Sequence, residues 1–236
     1  IENFVETGSK DHKSKVDIGP INTMISSNYI DGTRFRLSGM TTAHFDKHWF
    51  LSGYGAYGLK DEKWKYSGTL TYSFNKRDYV VWEFPKHFIS ATYSYDVMSP
   101  MDKFLFTDKD NIFLSIKTTT VDQMSYMRDA TINYELETLT GFGVKAMLRH
   151  RNDESAGKLE YLRNDAAQTR VHDVTTSEAS VTLRYAPGES FVNSKQRRVP
   201  VSLDAPIFTL THAMGFKGVL GGEYNFNRTE ASIWKR

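Results

Sequence analysis

The chain has 236 residues, of which 39% are hydrophobic and 25% are charged, and it contains no cysteine. Its 30 basic and 28 acidic residues give a net charge of +2, which is too balanced to indicate nucleic-acid binding. The lack of cysteine excludes disulfides, thiolate metal sites and cysteine nucleophiles. No apolar run approaches the roughly 18 to 20 residues of a membrane-spanning helix, but membrane β-barrels escape this test because only alternate residues meet lipid.

The N-terminal part of the sequence predicts a linker followed by weak strands. Residues 1–15 mix charges and lack the basic and apolar regions of a signal peptide, so we expect a linker or disordered end. Residues 16–28 are weakly strand-like, and Gly19-Pro20 within them favours a first or edge strand. Asp31-Gly32 predicts a turn, after which residues 33–42 alternate between apolar and polar.

The clearest pattern in the chain is a hairpin over residues 49–74, with a charged turn at 60–63. Successive side chains of a strand point to opposite faces. In the second strand one face carries Trp64, Tyr66, Leu70, Tyr72 and Phe74, and the other carries Lys65, Thr69 and Thr71. This alternation is longer than the usual strand of about five or six residues and matches the roughly ten residues of a strand that crosses an outer membrane. We therefore predict that the apolar row faces lipid and the polar row faces the lumen.

Six further segments predict strands: 88–97, 124–137, 141–151, 177–186, 207–214 and 224–234. The connections 98–123, 152–176 and 187–206 are predicted to be long loops, with a short helix or strand at 112–116. About ten strands in this arrangement indicate an all-β, antiparallel up-and-down transmembrane barrel. If residues 16–28 rise from the periplasm, the first two long connections lie on the outer side and the third on the opposite side.

Charged residues on the polar faces predict a mixed-sign network that lines or plugs the lumen. Its predicted members are Arg34, Arg36, Lys65, Glu135, Glu137, Lys145, Arg149 and Arg184. Ordinary solvent-facing charge on a soluble sheet is the alternative interpretation.

Metal-binding patterns in the sequence are weak. His44 and His48 have the spacing of two ligands on a helix, but they flank a predicted turn, which favours a solvated loop. Asp108, Asp110 and Asn111 resemble the start of a calcium loop, yet the turn glycine is missing and Thr119 stands where the closing glutamate belongs. The sequence therefore predicts no metal site and no cofactor.

Other functional patterns are equally sparse. Lys195, Arg197 and Arg198 could contact lipopolysaccharide phosphates, although a solvated loop is the simpler interpretation. The nucleophile, metalloprotease and phosphate-loop motifs are all missing, so no serine is singled out for a Ser-His-acid site.

Four segments resemble a family of Bacteroidota outer-membrane proteins: residues 17–20, 31–37, 51–58 and 224–230. In that family a carboxypeptidase-regulatory-like domain precedes a barrel of the BamA-like (bacterial surface antigen type) superfamily. The resemblance covers residues 17–236 and implies an outer-membrane location, with residues 16–236 as the N-terminal part of the barrel. The regulatory-like domain is missing here, and Gly32-Thr33-Arg34 does not reproduce the Arg-Gly-aromatic motif that such barrels place in their lumen.

The end of the sequence bears on the size of the barrel. The chain stops at Ile233-Trp234-Lys235-Arg236 rather than on a terminal aromatic residue. Because an open sheet edge is costly in lipid, we expect these strands to belong to a larger barrel.

We thus expect a non-enzymatic outer-membrane barrel, acting as a structural, assembly or transport component together with other outer-membrane proteins. It would contact membrane lipids but no nucleic acid. Two alternatives remain open at this point: a soluble β-barrel that binds an apolar ligand, and an outer-membrane lipid hydrolase.

Overall fold

The computed structural model describes residues 4–9, 12–100, 102, 110, 121–164, 166–195, 197–201 and 206–235. This part of the chain is all-β: it forms sixteen strands and two 3-10 turns, and it contains no α-helix. No helix within the described ranges has the length and apolar character needed to cross a membrane.

The strands, in chain order, are β1 (Val5–Glu6), β2 (Val16–Ile18), β3 (Ile25–Asn28), β4 (Gly32–Thr41), β5 (Trp49–Gly58), β6 (Trp64–Ser73), β7 (His87–Met98), β8 (Gln123–Glu137), β9 (Phe142–Gly157), β10 (Tyr161–Leu162), β11 (Arg170–Val171), β12 (Asp173–Tyr185), β13 (Phe191–Asn193), β14 (Arg198–Pro200), β15 (Ile207–Gly215) and β16 (Phe226–Trp234). The 3-10 turns are Ile21–Thr23 and Val219–Gly221.

Twelve of these strands form one antiparallel sheet in the order β1-β2-β4-β5-β6-β7-β8-β9-β12-β15-β16, with β3 also paired to β4. Because β2 and β3 pair with successive parts of β4, they act as one strand interrupted at Gly19-Pro20. The main sheet therefore has ten principal strands plus the short β1, as the alternation predicts. Its end strands, β1 and β16, do not pair with each other in the described part of the chain, so the sheet is open.

Most predicted strand boundaries agree with the structure, including the β5–β6 hairpin, in which Trp49 lies opposite Tyr72. The N-terminal segment expected to be a linker contributes β1, which pairs with β2. The predicted loop 152–176 is wrong, because β9 continues to Gly157 and β12 already begins at Asp173. Alternation does not reveal these strand ends in the sequence, because both of their faces carry polar side chains. Strand ends that extend beyond the apolar region need no apolar face.

Two small hairpins lie in the connections. β10 pairs with β11 between β9 and β12, and β13 pairs with β14 between β12 and β15. The predicted loop 187–206 therefore contains a two-stranded sheet. The short element predicted at 112–116 lies outside the described residues.

The connections leave the main sheet at the two opposite ends of its strands. At one end, which we call rim A, the chain connects β4 to β5, β6 to β7, β8 to β9 and β12 to β15. At the other end, rim B, it connects β5 to β6, β7 to β8, β9 to β12 and β15 to β16. The predicted long connections 98–123 and 152–176 thus share rim B, and 187–206 lies at rim A.

One face of the sheet is concave. Arg34 on β4 and Asp96 on β7 form an ion pair at 2.5 Å, although three strand spacings, about 14 Å on a flat sheet, separate their strands. The two side chains together cannot span that distance, so the strands must curve toward this side. We call the concave face the inner face, the space it encloses the trough, and the opposite face the outer face.

Candidate functional site

The outer face carries the apolar row predicted to meet lipid. Trp64 is 66% exposed, and Tyr66, Leu70 and Phe74 are also exposed. Tyr72 is partly covered, because its ring packs against Trp49 at 4.9 Å and against Phe74 at 5.3 Å between centroids. The row therefore lies exposed along one face of the sheet.

Aromatic side chains on the outer face form two groups, one toward each rim. The group toward rim A contains Trp49, Tyr72, Phe74, Tyr134, Phe142, Tyr185 and Phe208, and the group toward rim B contains Tyr57, Trp64, Tyr66, Tyr93 and Tyr95. Aliphatic residues such as Leu51, Leu70 and Ile132 lie between them. Trp64 and Tyr72 are eight residues apart on one strand, which corresponds to about 27 Å.

The inner face toward rim B is occupied by buried charges rather than by an apolar core. Arg34 has no exposed surface, and its guanidinium contacts the carboxylates of Asp31 at 3.1 Å, Asp96 at 2.5 Å and Asp110 at 3.2 Å. The three carboxylates engage the two terminal nitrogens of the guanidinium, whereas its buried Nε has no hydrogen-bond partner among the described residues.

Lys65 is the second fully buried cation of this region. Its Nζ contacts Asp31 at 2.5 Å and Asp61 at 2.6 Å, so Asp31 links the arginine and the lysine. The hydroxyl of Tyr126 on β8 donates to the same Asp61 at 2.8 Å. The turn before β4, the turn between β5 and β6, and strand β8 are thereby tied together.

Two further groups complete what we call the rim B cluster: Asp31, Arg34, Arg36, Tyr54, Asp61, Lys65, Asp96 and Asp110. Arg36 pairs with Asp110 at 2.8 Å, and its guanidinium lies 3.9 Å from the centroid of the Tyr54 ring. The hydroxyl of Tyr54 donates to Asp96 at 2.5 Å. Buried charges of this kind are tolerated only when they are mutually paired and hydrogen-bonded, as they are here.

A second set of charges lies on the inner face toward rim A. Glu135 contacts Lys86 at 2.9 Å and Lys145 at 3.4 Å, and Arg184 contacts Glu189 at 2.6 Å. Arg198 on β14 contacts Glu137 at 2.6 Å. These residues, Lys86, Glu135, Glu137, Lys145, Arg184, Glu189 and Arg198, form the rim A cluster and surround a cavity of about 430 Å³.

Between the two clusters the inner face is rich in hydroxyl groups. The hydroxyl residues are Ser67, Thr69, Thr71, Ser90, Thr92, Ser94, Thr131, Thr182 and Thr211. Thr69 bonds Thr92 at 2.9 Å, and Thr182 bonds Thr211 at 3.0 Å, across neighbouring strands. This middle part of the trough is thus hydrophilic, whereas Met40, Phe50 and Phe88 are buried on the same face nearer rim A.

Comparison with protein families gives one match. Residues 5–236 match the model described as the family of unknown function (DUF5686) C-terminal domain. The chain belongs to this family. No curated protein and no solved structure matches it.

In this DUF5686 C-terminal domain, all eight residues predicted to line the lumen lie on the inner face, but they form three groups rather than one network. Arg34, Arg36 and Lys65 belong to the rim B cluster, whereas Glu135, Glu137, Lys145 and Arg184 belong to the rim A cluster. Arg149 lies between the clusters and pairs with Asp129.

Among the acidic partners in this domain, sequence analysis assigned only Glu135 and Glu137 to the lumen. Asp96 stands on the polar face of a predicted strand, so parity could have identified it. Asp31, Asp61 and Glu189 come from turns, where alternation carries no information, and only the folded arrangement brings them to the cations.

The weaker motifs of the domain have structural roles. His48 Nδ1 lies 2.7 Å from the carbonyl oxygen of Ser73, while the His44 ring packs edge-on against Tyr79. Asp110 pairs with arginines, and Asp108, Asn111 and Thr119 lie outside the described residues. Within the described ranges, no group of three or more histidine or acidic side chains could hold a metal ion.

The predicted basic cluster does not present three free cations. Lys195 pairs with Glu6 at 2.6 Å, and Arg198 pairs with Glu137. Arg197 is exposed. Two of the three charges are therefore already engaged by carboxylates of the same chain, which weakens the interpretation as a phosphate-binding loop.

Proposed function

We propose that this chain forms part of a non-enzymatic outer-membrane β-barrel, which works with partner proteins as a structural, assembly or transport component. The observation that carries the proposal is the inverted distribution of side chains. Leu70 and Trp64 are exposed, whereas Arg34 and Lys65, on the opposite face of the same sheet, are fully buried. Water disfavours this arrangement and a bilayer favours it, because lipid solvates an apolar outer face.

The aromatic groups support the same proposal. Tyrosine and tryptophan prefer the interface between lipid and water, and the two groups on the outer face are separated by about the height of an outer-membrane apolar band, roughly 25 Å. A soluble barrel around an apolar ligand would need the apolar row inside, and here that row lies outside.

The open edges of the sheet require partners in this setting. Among the described strands, β16 pairs with β15 alone and β3 pairs with β4 alone. Since unpaired backbone groups cost several kcal/mol each in lipid, we propose that both edges are paired when the protein is in the membrane. The relationship to Bacteroidota proteins with a carboxypeptidase-regulatory-like domain and a BamA-like barrel belongs to the same proposal, supported by the four similar segments.

The paired state of the charges supports a role other than catalysis. In both clusters the described cations and carboxylates bind each other, and this mutual pairing stabilises the curvature of the sheet. The lining of the trough is suited to contact with water, polar solutes or polar segments of other proteins.

Neighbouring residues of β6 provide a direct test. The chain has no cysteine, so Leu70→Cys and Thr69→Cys each introduce a single reporter, one on the outer face and one on the inner face. Each variant is placed in lipid vesicles and labelled with a fluorophore, and spin-labelled lipid acyl chains are added as quenchers. We expect strong quenching at position 70 and weak quenching at position 69. Equal quenching at both positions would reject the membrane proposal, as would a monodisperse monomer without detergent.

A further inference from the structure

The β13–β14 hairpin crosses the mouth of the trough at rim A. It emerges after β12, yet Lys195 at its tip contacts Glu6 of β1 at 2.6 Å. Strands β1 and β12 lie eight strand spacings apart along the sheet, about 38 Å. The hairpin therefore bridges the space that the curved sheet encloses. Asn193 also reaches the connection between β6 and β7, where it exchanges hydrogen bonds of 2.8 and 2.9 Å with the backbone of Phe84.

One contact of the hairpin is much better shielded from water than the others. Arg198 donates to both carboxylate oxygens of Glu137, at 2.9 and 2.6 Å, and the two side chains are only 17% and 16% exposed. The same guanidinium lies 3.9 Å from the centroid of the Phe191 ring. By contrast, Lys195 is 63% exposed and its partner Glu6 is 37% exposed, so water and salt compete with that pair.

The hairpin covers a cavity whose lining includes charged and hydroxyl side chains. The cavity has a volume of about 430 Å³ and is lined by Lys145, Thr182 and Arg184 from the inner face and by Phe191 and Arg198 from the hairpin. Its floor continues along the sheet into the hydroxyl-rich part of the trough. Releasing the hairpin would therefore open a path from rim A to these polar groups, and it would separate the Phe191 ring from the Phe84 ring, whose centroids lie 5.0 Å apart.

We propose that β13–β14 is a gate at rim A, held shut by the pair Arg198–Glu137, and that its release admits small hydrophilic solutes to the trough. This gate rests on the proposed membrane barrel, because only a membrane gives the trough two separated sides. The hydroxyl and charged walls select polar solutes, and the size of the cavity limits them to small ones.

The gate can be tested by thiol labelling of the whole chain in lipid vesicles. Thr182→Cys places a reporter under the hairpin in a chain that otherwise lacks cysteine. A small membrane-impermeant thiosulfonate is present on both sides of the membrane. Adding Arg198→Ala should accelerate labelling about tenfold or more, because a shielded charge-assisted pair is lost. Glu137→Gln should act in the same direction, and the charge swap Arg198→Glu with Glu137→Arg should restore slow labelling.

Matched controls separate gating from general loosening. Arg163→Ala removes an exposed pair with Glu223 at rim B and should leave the labelling rate unchanged. A maleimide coupled to a long polyethylene glycol should stay slow in every variant, because an open gate still excludes large reagents and an unfolded chain does not. The gate is rejected if Arg198→Ala and Glu137→Gln leave the rate unchanged, if Arg163→Ala accelerates labelling as much as they do, or if the charge swap fails to restore it.

The same vesicles distinguish failure of the gate from failure of the membrane proposal. Leu70→Cys on the outer face should resist the impermeant reagent. If Leu70→Cys is protected and Thr182→Cys shows no dependence on Arg198, the gate alone is overturned. If Leu70→Cys is labelled at the full rate, the membrane proposal is overturned and the gate with it.

Discussion

The two charged clusters of the trough differ in how many carboxylates each cation contacts and in how far the cations are exposed to water. In the rim B cluster, Arg34 contacts three carboxylates and Lys65 contacts two, and neither cation has exposed surface. In the rim A cluster, Arg184 and Arg198 each contact one carboxylate, and the lysines remain partly exposed. Multiple shared partners fix a geometry, whereas single and wetter pairs can exchange with water at modest cost.

This difference assigns different mechanical roles to the two ends. The rim B cluster joins β4, β6, β7 and two turns into one unit, because Asp31 is shared between Arg34 and Lys65. The rim A cluster includes a residue of a small hairpin, so its pairs connect the wall of the trough to an element that can move away. Rim B is therefore the fixed end and rim A the adjustable one.

The largest expected effect is the loss of a carboxylate at the fixed end. Asp96→Ala leaves Arg34 buried with one fewer partner and removes the acceptor of the Tyr54 hydroxyl. Breaking a buried pair in this way costs about 3–5 kcal/mol. We expect a loss of that size in the free energy of unfolding, measured by urea titration of the protein in vesicles. A loss below about 1 kcal/mol would show that rim B is no more rigid than rim A.

A charge on the outer face should have the next largest effect, since we propose that this face meets lipid. Leu70→Arg places a cation in the middle of the apolar band and should cost about 2–4 kcal/mol of unfolding free energy in vesicles. Leu139→Arg, in a turn at rim A where the leucine is 77% exposed, is the matched control and should be nearly neutral. Equal losses of unfolding free energy in the two variants would contradict the placement of Leu70 in an apolar band that meets lipid.

A smaller effect is expected at the adjustable end. Glu135→Gln weakens the contacts to Lys86 and Lys145, both of which retain access to water. We expect a loss of about 1 kcal/mol or less, and an even smaller loss in high salt, because salt screens partly exposed pairs. Asp96→Ala should keep most of its effect under the same conditions, so the two salt dependences measure the contrast between the clusters.

The smallest effect concerns a turn at rim A outside both clusters. The backbone N–H groups of Trp49 and His48 donate to the Asp46 carboxylate at 2.9 and 2.7 Å, and they hold its pKa below the usual 3.8. A lowered pKa contributes stability that is complete above pH 3.8 and is lost as the pH falls through the pKa of the folded state. Asp46→Asn should therefore be slightly destabilising at neutral pH, and the difference from the unchanged protein should vanish in acid.

The pH dependence of this variant separates the charge of the side chain from its shape. If the Asp46→Asn difference persists in acid, the turn is stabilised by the shape of the side chain rather than by its charge.

Alternation of residues was enough to predict the strands and the faces of the main sheet. The rows of β6 are a clear case. Neighbours such as Trp64 and Lys65 differ strongly in polarity, so only one register places the apolar side chains together on one face. The same rule identified Arg34, Arg36 and Arg184 as inner-face residues. It works wherever one face of a strand is uniformly apolar.

The rule fails where both faces are polar or where the chain leaves the strand. The ends of β9 and β12 pair through residues such as Asn152, Asp153 and Thr175, which carry no apolar signal. The partners of Lys65 come from two turns: Asp61 from the turn directly before its own strand, and Asp31 from the turn before β4, which only the folded sheet brings to the lysine. Likewise, no local pattern foretells that Lys195 reaches Glu6, because that contact joins residues 189 positions apart.

The outer edge of β16, which pairs with no further strand in the described part of the chain, also affects how the isolated chain behaves in water. The strand has nine residues, and nearly all of its side chains are exposed on both faces. A long edge of this kind is a template for another strand, and it carries neither a bulge nor a proline to prevent addition. Aggregation of the isolated chain should therefore begin by strand addition at β16, and a proline at Thr229 should slow it.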